Sequence, residues 1–483
     1  MTAASIGDIL RIKDPLIFTI FGASGDLAKL KIFPALFALA EQNRFPEKLA
    51  IVGYARSKKS TEEFRADFEK SVKDNFKGDW GEYQDQVLDN LMPKVHYVAG
   101  QYDGFNDFKK FKQFLGKLFT GKKLPQHIMY FSVPPFVVKP ILTQVAEVFE
   151  PKENDVRLVL EKPFGSDECS ARKLFNFITE HYSEEQIYLL DHYLGKKAVR
   201  SLIPLRHMNR ILNAMLKGQE IANIQISAIE PMGVGERVGY FDEVGTIKDV
   251  VQSHLLQVLA MLTMSVPIVD DAERVQEERT AILNALDFET DKNHLSLGQY
   301  AGYKSEHEKV KNSITETFAA LRMSINRESW HDVPIFMRTG KKLHAKHTYL
   351  VVELKKFSFQ ERAQEPNRVI IEFYPHETIQ IRLLDEDGAT LRQGEIAASE
   401  SIACHGDYCL PEHGLLLLDV VRGEKRYFLG MSEIIASWHI VDQVMAFMMA
   451  KKLKPESYKP GSAGPKGQHN LMKGTDFKWY EPN

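Results

Sequence analysis

The sequence predicts two bodies of different class. The N-terminal one is a doubly wound parallel α/β sheet; the C-terminal one is α+β with a large, mostly antiparallel sheet. Three observations carry this expectation. Up to residue 190, short apolar runs of strand length alternate with stretches of helical spacing, the mark of βαβ units. Beyond residue 190, runs such as Ile221 to Glu230 alternate like strands with one buried face. The length, 483 residues, exceeds what one ordinary core holds. The expected division is 1–190 and 191–483.

The first strand is Leu16 to Phe21, short, apolar and rich in β-branched and aromatic residues. Gly22-Ala23-Ser24-Gly25-Asp26-Leu27-Ala28 follows at once, and helical spacing runs from Leu30 to Leu39. Strand, glycine-rich turn and helix together give a glycine pattern its meaning as a Rossmann dinucleotide fingerprint. Gly22 supplies the tight turn, Gly25 the close approach of backbone to pyrophosphate, and Ala28 a small contact between helix and strand. Gly22, Ser24, Gly25, Asp26 and Leu27 are the expected cofactor contacts, with the helix N-terminus facing the phosphates. The spacing is G-x-x-G-x-x-A rather than the commoner G-x-G-x-x-G, and a plain βα turn is the simpler alternative.

The second strand, Leu49 to Tyr54, is not followed by the acid that would hold a ribose 2′-hydroxyl. Ala55-Arg56-Ser57-Lys58-Lys59 stands there instead. Cations with a serine suit a 2′-phosphate, so the expected cofactor is NADP, with Arg56 and then Ser57 as contacts; a solvated basic loop is the plainer reading. Ser60 to Lys77 reads as an amphipathic helix capped by Ser60 or Thr61. Strands at Val95 to Val98 and His127 to Phe131 follow. The latter runs into Ser132-Val133-Pro134-Pro135, where paired prolines fix a loop at the carboxyl edge of the sheet, and Tyr130 and Pro134 are expected beside the cofactor. The strand Val156 to Leu160 runs into Glu161-Lys162-Pro163-Phe164-Gly165; Lys162 is restricted by the proline after it, and a cis bond at Pro163 would fit a tight site. The strand Gln186 to Leu190 ends in Asp191-His192-Tyr193-Leu194-Gly195-Lys196, where one glycine lets the backbone turn. Its ammonium, imidazole and phenol form a natural receptor for a phosphate. A charged loop after a strand is the bland alternative.

In the second part, Ala198 to Lys217 reads as one helix. A long helix is expected from about Gly245 to Ser265, carrying Asp249 and His254. Further strands are expected at Ala319 to Ile325, Tyr349 to Leu354, Arg368 to Tyr374 and Thr378 to Leu383. Val333 to Lys341 ends in another Gly-Lys corner, and the chain from Lys454 reads as loop. A broad antiparallel sheet offers a face for self-association, so a homodimer or homotetramer is expected.

Composition narrows the function. The chain is 44% hydrophobic and 26% charged, with net charge −3, which gives no polyanion footprint and so no nucleic-acid partner. Cys169, Cys404 and Cys409 make no disulfide framework and suit a reducing compartment. Cys404, His405 and Cys409 lie close together without the further ligands of a zinc site, so no metal is expected. No apolar run reaches the roughly 18 residues that span a bilayer. Asp8, Arg11, Lys13 and Asp14 near the start do not suit a signal peptide. A cytoplasmic protein, free of membrane, is expected.

Six motifs in order resemble the glucose-6-phosphate dehydrogenase family, from Gly22 to about Val441: Gly-Ala-Ser-Gly-Asp-Leu-Ala at 22–28, Val-Gly-Tyr-Ala-Arg-Ser at 52–57, Glu-Lys-Pro-Phe-Gly at 161–165, Asp-His-Tyr-Leu-Gly-Lys at 191–196, Gly-Tyr-Phe-Asp-Glu-Val-Gly-Thr-Ile-Lys-Asp-Val-Val-Gln-Ser-His at 239–254, and Arg-Thr-Gly-Lys-Lys-Leu at 338–343. The resemblance implies an NADP-linked oxidation of glucose 6-phosphate at C1, the first step of the oxidative pentose phosphate pathway. It implies that His254 is the general base and Asp191 its carboxylate partner. In an α-helix Asp249, five residues before His254, would lie about 140° away around the axis, poor geometry for that pairing. Asp249 and Glu230 are then left for sugar hydroxyls. His192, Tyr193, Lys196 and Lys341 carry the 6-phosphate; Lys31 and Lys162 stand between cofactor and sugar. Some members hold a second, structural NADP, for which Lys346 and Trp479 are the candidate positions, and Lys346 is otherwise expected on the substrate side. Alone, His254 and Asp249 would read as an ordinary helix histidine and a solvated aspartate.

The chain departs from the family pattern at Lys197, Arg200-Ser201, Leu216-Lys217, Lys248, Ser253 and Ala345. Lys197 adds positive charge near the phosphate corner. Two alternatives stay open on sequence: a sugar oxidoreductase of the Gfo/Idh/MocA type, which shares the Glu-Lys-Pro motif but lacks the phosphate corner, and an NADP-binding protein that has lost turnover.

Overall fold

A computed structural model describes residue 12 and residues 14–119, 125–152, 155–268, 271–356, 365–385, 391–397, 404–405 and 408–482. Asp8, Arg11 and Lys13 lie outside the described residues. The chain forms two compact units. The first is Met1–Phe164, Arg172–Gly195 and Glu400–Leu429; the second is Gly165–Ala171, Lys196–Ser399 and Gly430–Asn483.

The first unit holds six parallel strands: β1 (Leu16–Phe21), β2 (Leu49–Ala55), β3 (Val95–Ala99), β4 (Gln126–Phe131), β5 (Val156–Glu161) and β6 (Ile187–Leu190), in the order β3-β2-β1-β4-β5-β6. This is the doubly wound order of the Rossmann fold. β1 is central and buried at every residue, which is why it reads as an unbroken apolar run rather than an alternating one. Phe21 pairs with Tyr54 of β2 and Phe131 of β4, so these three strands end level and their loops leave at one edge. Phe21 also packs on Phe108 and Phe111, which anchor the helix Phe105–Leu118 to that face. Ser60 caps the helix Thr61–Asn75 in a reciprocal box with Glu63.

Late sequence returns to this unit. The helix Glu412–Arg422 is apolar along Leu415, Leu416, Leu417 and Leu418, all buried. A side chain on Gly195 would meet Leu416 Cδ1 at 2.9 Å and the Glu412 carbonyl oxygen at 3.1 Å. Gly195 does not adopt positive φ. The glycine of the Asp191–Lys196 stretch is therefore there for close helix packing, not for the turn expected of it. Leu429 donates its N–H to the Leu189 carbonyl at 3.0 Å, beside β6. Cys404–His405 and Tyr408–Cys409 pair as a short hairpin.

The second unit is built on a sheet of β7 (Ile221–Ile229), β8 (Leu286–Asp287), β9 (Leu295–Tyr300), β10 (Phe318–Ile325), β11 (Ile335–Gly340), β12 (His347–Leu354), β13 (Arg368–Tyr374), β14 (Thr378–Leu384), β15 (Leu391–Ala397) and a late edge strand, Glu456–Tyr458. Neighbours are antiparallel except β7 with β11 and the late strand with β9, which agrees with the mostly antiparallel expectation. The helices Ala272–Asn284 and Met431–Ala450 are joined by a fully buried ion pair, Arg279 with Glu433 at 2.9 Å.

Three local expectations are corrected. The helix expected through Lys217 breaks at Asn209, giving Lys197–Met208 and Arg210–Met215. The long helix expected from Gly245 is three pieces: Val238–Thr246 with a break at Gly245, a π-helix Ile247–Leu255, and an α-helix Leu256–Thr263. The tail after Lys454 is not loop alone. It adds the edge strand, the turn of helix Lys466–Met472, and Trp479 and Tyr480, both buried. The peptide Lys162-Pro163 is cis, as the sequence suggested. Among the described residues no helix is long and apolar enough to cross a membrane.

Candidate active site

The first group of expected residues stands after β1 and β2. Gly22 has φ +81°, and a Cβ there would sit 2.0 Å from the Ser132 carbonyl oxygen, so only glycine makes this turn. Gly25 is exposed, and the one atom near an added Cβ is the Gly22 oxygen at 3.2 Å, which leaves its outer side open for a ligand. Asp26 and Leu27 lead into a π-helix, Ala28–Ile32, that continues as the helix Phe33–Glu41. First-turn amides carry the partial positive charge that favours a phosphate. Ser24 is half-buried, and Ser57 donates to its hydroxyl at 3.3 Å. Arg56 is exposed, with its guanidinium 5.4 Å from the Tyr102 ring centroid. Pro134 is exposed at the end of the β4 loop. These features fit a dinucleotide with a charged ribose: an open glycine, helix amides and an exposed cation. Tyr130 is fully buried and donates to Glu161, so its hydroxyl serves that carboxyl.

The ends of β5 and β6 carry the second group. Lys162 is half-buried after Glu161. Asp191 is 1% exposed, and its Oδ1 accepts the Tyr193 N–H at 2.9 Å while its carbonyl accepts Leu194 N–H at 3.1 Å. The carboxylate thus shapes the turn that presents His192 and Tyr193, whose rings meet edge to face at 5.0 Å. Lys31 is exposed on the π-helix. Two titratable groups in this unit were given no role by the sequence reading. Burial pushes the Glu161 carboxyl up to about 7, against the pull of Tyr130 and Lys162. His413 lies 3.8 Å from Glu161 and stacks on His192 at 12°, and burial pushes its imidazole down to about 4. Glu161 was legible as the first residue of Glu-Lys-Pro. His413, two hundred residues away on a leucine-rich helix, carried no signal.

The third group belongs to the second unit. Glu230 N–H bonds the Gly340 carbonyl at 3.0 Å where β7 and β11 run side by side, which brings Glu230 and Lys341 out together. Lys341 is 6% exposed and its Nζ donates to Glu230 Oε2 at 2.8 Å. Lys196 Nζ reaches the Phe373 carbonyl at 3.5 Å. Lys346 is exposed, 4.2 Å from the Tyr374 ring centroid. Trp479 stacks under Arg338 at 4.5 Å and lines a different pocket, with Arg368, Arg382 and Tyr480.

Asp249 and His254 sit on the π-helix, His254 at 4% exposure. The bonds of this helix close over five residues, as in Leu256 N–H to Val251 O, so residues i and i+5 lie about 50° apart around the axis. The 140° separation expected of an α-helix does not apply: Asp249 and His254 share a face. Of the two departures nearby, Ser253 bonds back to the Asp249 carbonyl at 2.8 Å, and Lys248 donates to the Ser166 carbonyl at 2.9 Å.

Comparisons with known proteins agree across the chain. The family model described as the NAD binding domain of glucose-6-phosphate dehydrogenase matches residues 19–201, and that of its C-terminal domain matches 203–480. The glucose-6-phosphate 1-dehydrogenase of Aspergillus niger is 33% identical, covering 94% of this chain and 91% of the relative. The chloroplastic enzyme of Spinacia oleracea is 32% identical, covering 96% and 84%. A glucose-6-phosphate dehydrogenase solved in complex with its substrate glucose 6-phosphate superposes with a TM-score of 0.88 at 30% identity, covering 98% of this chain and 99% of that one.

Proposed function

This chain belongs to the glucose-6-phosphate dehydrogenase family, and from that premise we infer that it oxidises D-glucose 6-phosphate at C1 to 6-phospho-D-glucono-1,5-lactone with NADP. The observation that carries the reading is the match to both family models over a chain that keeps the Asp191–Lys196 corner. When bound, NADP supplies the hydride acceptor; Gly22, Ser24, Gly25, Asp26, Leu27, Arg56, Ser57 and Pro134 are the residues proposed to hold it, with Tyr130 acting through Glu161.

His254 is proposed to take the proton of the C1 hydroxyl. A base for this needs a pKa near the working pH and a fixed tautomer. Asp191 is the proposed carboxylate partner. Asp249 shares a helix face with the base and is proposed, with Glu230, for the sugar hydroxyls. The 6-phosphate dianion suits Lys196 and Lys341, with hydrogen bonds from His192 and Tyr193. Lys31 and Lys162 are proposed between cofactor and sugar, and Lys346 at the substrate rim. A division near residue 190 into cofactor and substrate parts, a homodimeric or homotetrameric assembly, and a cytoplasmic setting supported by the few cysteines complete the reading.

The test is growth of absorbance at 340 nm with glucose 6-phosphate and NADP, beside NAD, free glucose and His254→Asn. NADP reduction that needs the phosphate and falls by about 10²–10⁴ in the variant supports the assignment. Equal rates with free glucose would move the protein to the unphosphorylated-sugar oxidoreductases. Equal use of NAD would remove the role given to Arg56. NADP binding without turnover would leave a silent binding protein.

A further inference from the structure

The π-helix with Asp249 and His254 starts at a break. Gly245 takes φ +73° and ψ 170°, so the preceding helix stops and a new one begins beside Thr246. A new start leaves first-turn amides without partners inside the helix, and Thr246 provides no side-chain cap. The partners come from Glu316, seventy residues on and just before β10. Its Oε1 accepts the Ile247 N–H at 3.1 Å, and its main-chain carbonyl accepts the Thr246 N–H at 3.2 Å. Room for this exists because residue 245 has no side chain: a Cβ there would lie 2.4 Å from Glu316 Oε1. Glu316 is 4% exposed, and a buried carboxyl is costly unless it is bonded. Burial pushes it up to about 7, and both of its protonation states keep an oxygen that can accept from Ile247.

The adjacent residue bears on the proposed phosphate cation. The Thr317 carbonyl accepts the Lys341 N–H at 3.0 Å, and Lys341 in turn holds Glu230. Tyr458 hydroxyl locks the same point, 3.0 Å from Thr317 Oγ1 and donating to the Lys341 carbonyl at 2.6 Å. Two consecutive residues therefore fasten both the helix of the proposed base and the strand end of the proposed phosphate cation.

We propose that Glu316 is a positioning residue for the oxidation, fixing where the His254 helix starts relative to Lys341. A pyranose 6-phosphate has its reacting hydroxyl and its phosphate at opposite ends of a stiff ring. A base and a cation serving the two ends must keep a set spacing, and an error of about 1 Å costs on the order of 10²-fold in rate. The inference rests on the function read above.

The test compares wild type with Glu316→Leu, Glu316→Gln and Glu316→Asp. Leucine removes the acceptor and is expected to lower kcat/KM for glucose 6-phosphate about 100-fold, mostly in kcat, with the Kd for NADP unchanged within twofold. Glutamine keeps an acceptor oxygen at the same reach and is expected to restore activity to within about fivefold. Aspartate keeps the carboxyl but withdraws it by one methylene and is expected to fall between. Amide exchange at Thr246 and Ile247 should quicken in the order Gln, Asp, Leu. A folded leucine variant with wild-type kcat and KM overturns the inference, as does one that loses only thermal stability. If leucine prevents folding, aspartate decides by the same criteria. A wild type that does not reduce NADP with glucose 6-phosphate brings down the functional reading and this inference together, and is told apart because no variant is needed to see it.

Discussion

Lys341 is a long cation held almost out of water, with Glu230 as its partner at 2.8 Å. A dianionic phosphate competes well for such an ammonium because it meets a charge already partly desolvated. Charge-assisted bonds contribute about 1.5–3 kcal/mol, so Lys341→Ala should raise the KM for glucose 6-phosphate about 10–150-fold. The proposed contact would be the same in ground and transition states, so kcat should stay within about threefold. Steady-state kinetics checks this; a fall in kcat at constant KM would place Lys341 elsewhere. Glu161 makes a second claim at this scale. Burial raises its carboxyl to about 7 from an ordinary 4.5, with Asp191 adding to the rise and Tyr130 and Lys162 opposing it. The folded state then holds a proton that the unfolded state releases between these values. The stabilisation is complete below about 4.5 and is lost as pH rises through about 7. The melting temperature of wild type should therefore drop relative to Glu161→Gln between pH 5 and pH 8, by calorimetry. Parallel curves would show that Glu161 titrates as an ordinary carboxylate.

At the scale of elements, the turn after β1 is the most demanding join. Gly22→Ala must bear both a left-handed φ and a 2.0 Å approach to the Ser132 oxygen. The β1–β4 loop pair has to part, so the variant should lose at least tenfold in NADP affinity, on the order of 1.4 kcal/mol, with its secondary structure kept by circular dichroism. Unchanged NADP affinity would dissociate this turn from the cofactor. Much of this level was readable beforehand. β1, β2, β4 and β5 begin and end within a residue or so of where apolar runs begin and end, because a strand buried along most of its length needs a mostly apolar run. Ser60 was legible as a cap from its place before the first polar-apolar turn. The π-helix at Ile247–Leu255 was not: apolar spacing cannot tell a five-residue hydrogen-bond ring from a four-residue one, and that difference decided which way Asp249 faces. The break at Asn209 carries no proline or glycine and leaves the helical pattern intact on both sides. Glu316 was hidden for a different reason, since a buried carboxyl in a Thr-Glu-Thr run reads as a solvated loop until its amide partners are seen.

For the whole chain, the tail is the decisive piece. Arg338 is 2% exposed and depends on it: Gln468 Oε1, the Tyr480 carbonyl and Glu481 all accept from its guanidinium, and Trp479 stacks on it. The sequence concealed this because a stretch rich in Pro, Gly and Lys buries few residues per turn, and its value lies in a handful of long-range contacts. Removing residues 466–483 strands a buried guanidinium, a loss of about 3–5 kcal/mol. At about 2–4 °C per kcal/mol for a body of this size, the melting temperature should fall by about 6–20 °C. A truncated protein that melts with wild type would mean that Ser227 and Tyr349, which remain, suffice for Arg338.

The helix Glu412–Arg422 belongs to the first unit although Lys196–Ser399 intervenes in sequence. During synthesis the six-stranded sheet emerges early, yet the leucines that seat against Gly195 arrive only after those two hundred residues. At about 5–20 residues per second, the ribosome spends roughly 10–40 s on that interval. Throughout it the patch formed by Gly195 and the helix Phe33–Glu41 lacks the leucines that cover it in the finished unit. The first unit to be made is thus the one that waits, and its dependence on chaperones should peak while the other unit is still being translated.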